Sequence, residues 1–479
     1  MRLRLRPVLA LAALSPLLPT AAAQSAPIAW DVPLVFAGAT VVEPIDALPT
    51  PDGGVVVLAT SFASVTDPGS GGPATVHAVS LTANGTERWR FEADVLGSSD
   101  DVSAFGPRHE FAGVVDDAGA LHVVWSDETT SFFATLEPSG SVRTLRALDE
   151  GSDLIQGWEV AGIGLTPAGD LRVGGTFRTP FLGYEQNYTR VDSIAPDGNL
   201  NWQYASSVEP LLGHDLLIAG DGTTYVLGAF EQFSFSSFFS AGVNVLSPQG
   251  FYLGTFGGVQ DAYFHAAESP GGGVAFVGAK RGTGATDVLV ADGGTVRWTA
   301  TFGSPPLYPF DVGINASGEV FVARGVPTIL RRGDGGVALP SWTLPGGPTV
   351  GAYALTVRDD NHVLVHGGDA ATVVTTLFDP AGGVVWTTTR PGDGTVPADT
   401  AGDGPELDVV VGAFGNVFTT YRATVDGPSG PVLSVGVQKL LDGAPVGQTY
   451  CDPAVTNSTG VPGRIQAFGS DARADNNLS

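Results

Sequence analysis

Four aspartates and a histidine occupy equivalent places in a repeating frame of this chain. Asp46, Asp215, His265, Asp311 and Asp408 each lie seven residues ahead of a tight turn, where the other repeats carry Ala112, Gly162 and Ala354. Carboxylates held at one level of neighbouring strands could form a polar ring at the mouth of a channel and hold a cation or a basic side chain. The competing use of such an Asp is to cap backbone amides of an adjoining segment. A second acidic group, Asp393, Asp399, Asp403 and Glu406, crowds one long connection and is interleaved with glycine, which lets the backbone curl around an ion. Ca2+ takes roughly six to eight oxygens and such a loop can supply them, although the spacing matches no EF-hand and acidic loops are mostly just solvated.

A third group is aromatic. Phe181, Tyr184 and Tyr188 in one repeat are followed in the next by Phe230, Phe233, Phe235, Phe238 and Phe239, with few charges between them. Flat aromatic surface of this kind can stack on sugar rings or grip a peptide. The same FSFSSFF text also alternates with period two, so it equally reads as strand whose rings pack between sheets. Catalytic signatures are missing: there is no H-E-x-x-H, no G-x-S-x-G, no P-loop, and the histidines are scattered. His362 and His366 lie in strand text, where a four-residue step separates side chains by roughly 13 Å, too far for one metal. Glycoside cleavage needs only two suitably placed carboxylates, and a chain this acidic does not lack them.

What must position these groups is a repeat. Eight tight turns, at Gly53, Gly119, Gly169, Gly222, Gly272, Gly318, Asn361 and Gly415, each introduce β-rich text such as VVVLA or VAFVGA. A second series follows at Gly85, Gly140, Gly198, Gly250, Gly294, Gly335, Gly382 and Gly443. Asn is the non-glycine residue that best tolerates the positive φ of such turns, so Asn361 fits the series. Each unit reads as two hairpins, or four strands, over roughly 50 residues, a propeller-blade length. A four-stranded sheet cannot hide both faces alone, so the blades stack radially. The expected fold is all-β, an eight-bladed β-propeller of four-stranded antiparallel blades, with seven blades as the alternative. Ala29-Trp30 to Phe36, ahead of the first unit, reads as a strand that closes the ring on the last blade.

Trp89, Trp202, Trp298 and Trp386 stand four residues after second-series turns. Turned toward the next blade, each indole would remove on the order of 150–250 Å² from water. These G-x-x-x-W units resemble those of the PQQ-quinoprotein-like propellers, and TPDGGVVVLATSF and INASGEVFVARG resemble bacterial secreted propeller repeats, over about residues 41–450. The resemblance implies the fold and leaves activity open. A quinoprotein-like dehydrogenase or a carbohydrate-active enzyme on the same fold is the catalytic alternative, and the adjacent cysteine pair of several quinoproteins is missing.

Composition agrees with an all-β chain: 15% charged residues, 66 Gly, 34 Pro and one Met. Arg2, Arg4 and Arg6, the apolar Val8 to Leu18 and Ala21-Ala22-Ala23 form a signal peptide over residues 1–23, with an apolar stretch too short to span a membrane. The organisation expected is that signal, a propeller over 24–450, and a tail over 451–479 resembling the start of a secretion-associated module. Cys451 is the one cysteine, so no intrachain disulfide forms. A formal charge of −26 argues strongly against nucleic acid or anionic lipid as a partner. Alternating strands place both glycine turns of a unit on one face and the longer connections on the other, where binding loops usually sit. The reading is a secreted, non-catalytic scaffold presenting a loop-rich acidic and aromatic face to an extracellular glycan or protein.

Overall fold

Middle strands with apolar residues at nearly every position, such as Leu121–Ser126 and Val363–Gly368, are buried along their whole length. Outer strands such as Leu200–Ser206 and Thr295–Phe302 instead alternate between exposed and half-buried. That contrast is what a radial stack produces, because only the middle of each sheet is covered on both faces. The computed structural model describes residues 25–39, 41–62, 74–95, 111–126, 130–148, 156–181, 184–195, 198–206, 211–232, 238–256, 261–280, 285–302, 310–392, 408–412, 415–427 and 430–441.

The described residues form an eight-bladed β-propeller. Seven blades are consecutive four-stranded antiparallel meanders whose inner strands begin at Val41, Phe111, Gln156, Leu211, Asp261, Asp311 and Gly351. The eighth contains Val409–Val411, Asn416–Gly427 and Gly430–Leu441, and takes its outer strand from Ile28–Pro33 near the start of the chain. Trp30 pairs with Lys439 and Pro33 with Gly436 in that antiparallel closure. Gly443, expected to introduce a fourth strand of its own, lies outside the described residues; the strand position it was to serve is filled by the N-terminal segment.

Every described corner glycine of both series has positive φ, and Asn361, at φ 64°, is the one non-glycine among the described residues that does. Seven corners of the first series close the same way: in blade 1 the Gly53 amide donates to Thr50 O at 3.0 Å, and in blade 4 the Gly222 amide donates to Ala219 O at 2.8 Å.

The tryptophans interlock neighbouring blades through the second-series corners. Trp89 on the outer strand of blade 1 packs against Gly140 of blade 2, and its indole N–H donates to Pro138 O at 2.9 Å. Trp30 meets Gly85 in the same way, donating to Ala83 O at 2.9 Å. Trp202 covers Gly250, Trp298 covers Gly336, and Trp342 covers Gly382. Glycine is required twice at these corners, for its positive φ and for the space the indole occupies. Trp386 packs with Val409, Val417 and Leu440 of blade 8.

Blades also differ in height. The middle strands of blade 3, Leu171–Phe181 and Tyr184–Ile194, are 11 residues each, whereas those of blade 2 are 6 residues each. Since the glycine corners align one end, the excess of blade 3 rises from the opposite face by roughly 15 Å at strand rise. Blade 4 follows with two strands of 9 residues, and blade 8 has two of 12. The long connections expected on the opposite face are therefore in part strand: Phe177 to Phe181, Tyr184 to Tyr188, Phe230 to Gln232 and Phe238 to Gly242 continue the hairpin ladders, as their aromatic residues favour.

Candidate functional site

The inner strand of each blade has one edge facing the axis, where its amides find no neighbouring strand. The aligned aspartates answer that need. Asp311 accepts the Val312 N–H on Oδ1 and, across the blade boundary, the Leu355 N–H on Oδ2, both at 2.7 Å. Ala47 N–H donates to Asp46 Oδ1 at 2.7 Å and to Asp408 Oδ2 of blade 8 at 3.0 Å. Asp215 Oδ1 takes the Leu216 N–H at 2.7 Å, and the Ala266 amide of blade 5 also favours its carboxylate. The interfaces 4–5, 6–7 and 8–1 are thus latched by an Asp on the earlier blade. In five blades a register shift immediately precedes the aligned position, as between Pro44 and Asp46 and between Gly213 and Asp215. Such a β-bulge re-aims the next side chain and explains how one level recurs around the ring.

These groups line a central channel of about 1590 Å³ together with His265, Ala354 and the first-series corners. Burial is the main cause of their unusual acidities. Asp311 is pushed up to about 8, and Asp46 and Asp215 are held well above the usual carboxylate range. Asp46 is raised further by its neighbour Asp408, with which it shares a hydrogen bond, so the two behave as one acid pair. Burial also drives His265 down to about 4, leaving the imidazole neutral. Burial thus favours the protonated form of these acids, and the hydrogen bonds they make are to backbone amides of their own and the next blade. Among the described residues no three His, Cys, Asp or Glu side chains converge as a metal site.

A stability test follows. Between about pH 4 and about pH 8 folded Asp311 keeps a proton that the unfolded chain has released, so its contribution is complete below about pH 4 and is lost as pH climbs to about 8. Asp46, Asp215 and Asp408 shift in the same direction. The melting temperature is expected to fall from about pH 5 to about pH 8. Asp311→Asn, which sacrifices one amide acceptor, should be less stable at about pH 5 yet show a shallower fall. Parallel pH profiles of variant and parent, measured by calorimetry, would remove Asp311 from this account.

One constellation appears only once strand register is known. Ser61 Oγ lies 2.6 Å from His77 Nε2, and His77 Nδ1 lies 3.3 Å from Glu92 Oε1, in the order of nucleophile, base and orienting acid. Ala59, His77 and Glu92 are direct cross-strand neighbours in blade 1, which spacing in the sequence does not reveal. Ser61 and His77 are buried, Phe36 covers the imidazole at 4.5 Å between ring centroids, and burial lowers His77 to about 4. A substrate would have to displace Phe36, so the group ties three strands together. His122 and His366 serve similarly, with Thr135 and Thr375 as partners at 3.1 and 2.8 Å.

The other expected sites are reached only by backbone. Register sets Phe181 opposite Tyr184 and Phe177 opposite Tyr188, at the raised end of blade 3. Phe238 and Phe239 open a strand of the neighbouring blade 4, opposite Gln232 and Glu231. Phe233, Phe235, Asp393, Asp399, Asp403 and Glu406 lie outside the described residues, as do residues 1–23 and 451–479. No described helix is long and apolar enough to cross a membrane.

No protein-family model matches this sequence, and no curated protein is similar to it at a significant level. Solved structures match the fold. A Dos1 propeller aligns with TM-score 0.51 at 10% identity, over 85% of this chain and 95% of that one. A streptogramin B lyase aligns with TM-score 0.42 at 13% identity, over 70% of this chain and 93% of that one. A puromycin hydrolase S511A mutant complexed with PGG aligns with TM-score 0.44 at 17% identity, over 83% of this chain and 62% of that one. This chain is a β-propeller, a fold that carries both enzymes and scaffolds.

Proposed function

We propose that the protein is an exported, non-catalytic binding scaffold whose long-connection face takes an extracellular glycan or a protein. The observation that carries this reading is the height of blades 3 and 4. Two adjacent hairpins outgrow the shorter blade 2 and bring Phe181, Tyr184, Tyr188, Phe238 and Phe239 to one raised sector of the ring. Strand length beyond what the core needs gives a ligand a rigid platform, and aromatic residue types at its end are the kind that stack on sugars or grip a peptide. The G-x-x-x-W units support kinship with the PQQ-quinoprotein-like propellers, and the N-terminal text supports export.

The test is a glycan array with and without Ca2+, together with capture of extracellular proteins, on the parent chain and on a Phe181→Ala, Tyr184→Ala, Phe238→Ala variant. Loss of the principal ligand by at least about tenfold is expected, the scale of a truncated aromatic anchor. Undiminished binding by the folded variant would move the ligand off this sector.

A further inference from the structure

The outer edges of the blades are not equally protected. An outer strand has a paired neighbour on one side alone, so its other side offers backbone to any extended chain, and proteins guard such edges with charge or proline. Among the described outer strands, those of blades 1, 2, 5, 7 and 8 carry charged residues and that of blade 6 carries Pro340. Leu200–Ser206 of blade 3 and Tyr252–Phe256 of blade 4, side by side, have neither. The bulge beside the second-series corner does not set them apart, because it recurs in blades 1, 2, 5, 6 and 7. The same pair is apolar. Phe251, at 70%, is the most exposed large hydrophobic side chain among the described residues, and Leu253 is 57% exposed, with Leu200 and Tyr252 exposed beside them. Trp202 over Gly250 and Tyr204 stacked with Tyr252 at 6.0 Å join the two strands into one surface.

We infer that this wall of blades 3 and 4 is where two copies of the chain associate, as a reversible two-fold dimer paired edge to edge along Leu200–Ser206 with Phe251 and Leu253 packed at its flank. Charge selects the occupant. At a formal −26 two copies repel each other over most of their surface, and these adjacent strands without charge or proline offer a place where they can approach. An antiparallel edge is its own complement under a two-fold axis, so the pairing closes at two copies instead of growing. The chain already uses this chemistry once, where Ile28–Pro33 adds antiparallel to the outer side of Gly430–Leu441. Repulsion elsewhere keeps the association weak, so the chain is monomeric when dilute. Phe251 follows a glycine corner and the raised aromatic sector stands at the other end of the blades, so pairing leaves both raised sectors open and gives a multivalent ligand two platforms. Association is read without ligand, so it fails or holds apart from the raised sector.

The experiment is sedimentation equilibrium over a concentration series at low and high NaCl. A monomer–dimer equilibrium is expected that strengthens with salt, because screening relieves the repulsion between acidic copies, whereas an interface of ion pairs would weaken. Phe251→Lys combined with Leu253→Lys, on exposed positions that leave the core untouched, should weaken the dimer at least about tenfold although it lowers the net negative charge. Val337→Lys, at 63% exposure just beyond the second-series corner of guarded blade 6, should leave it unchanged. The inference is overturned by a chain that stays monomeric at every concentration and salt, by association that salt weakens, by growth past two copies, by a dimer untouched in the double variant, or by equal loss in Val337→Lys. A monomeric chain whose double variant instead loses capture of a glycan or an extracellular protein would also overturn it, and would give the wall to that ligand.

Discussion

Replacing Gly140 with alanine is expected to destabilise the folded chain by about 2–5 kcal/mol, whereas the same change at Gly169 costs about 1–2 kcal/mol. Both glycines have nearly the same backbone, φ 84° and 83°. They differ in what a methyl group would meet. At Gly169 nothing lies within 4 Å, while at Gly140 the new carbon would sit 2.5 Å from Trp89 Cγ. The first cost is left-handed backbone alone, and the second adds displacement of an indole wedged between two blades. Urea denaturation of the two variants separates the terms. Trp89→Ala should itself be costly, yet in its background Gly140→Ala should fall to the Gly169 value. Equal costs at the two glycines in the parent chain would mean that the indole contact contributes nothing.

Removing Ile28–Pro33 is the second large effect expected. Trp30 contributes a half-buried indole seated on Gly85 and a hydrogen bond to Ala83 O, and truncation of such an aromatic costs about 2–3 kcal/mol, below the figure for a fully buried one. Asp31 accepts from the Tyr421 hydroxyl and lies 3.6 Å from Arg390, whose guanidinium stacks over the Tyr421 ring at 3.1 Å. Loss of the strand deprives the Tyr421 hydroxyl and Arg390 of the Asp31 carboxylate and bares the edge of Gly430–Leu441. A large drop in melting temperature is expected, with self-association through the open edge. A peptide spanning residues 25–36, added in excess, should restore much of the lost stability. A truncated chain that melts with the parent and stays monomeric would show that the ring holds without this closure.

The positions of the corners, and with them the blade count, were readable because positive φ restricts a residue to glycine or asparagine, and that restriction repeats visibly. Ring closure by the Trp30 segment was readable for a related reason: an orphan strand ahead of the first unit had one open place to go. The aspartate level emerged from the same alignment. Its amide-capping use was foreseeable from the residue type, but that the caps cross blade boundaries was not, since the bulge ahead of the aligned position in five blades is a register event without a residue signature. The partner of each tryptophan was also hidden, because only half of the Trp–corner contact lies in any one repeat. Trp30 and Trp342 escaped the four-residue offset although they make the same contact. Ser61, His77 and Glu92 became neighbours only through cross-strand register. The turn-rich end of the ring, expected to be plain, holds the acidic mouth of the channel, because the short corners themselves carry Asp117, Asp221 and Asp359.

Ser434 on the last blade donates to Leu34 O across 400 residues of chain. A strand placed there is synthesised first and used last. It has to wait, unpaired, until seven intervening sheets exist, and then find its slot against the entropy of the largest loop the molecule contains. Assembly of the circle is thereby made to end on a single late docking event, and any blade that fails earlier leaves the leading strand available to a proteolytic enzyme or to a neighbouring copy.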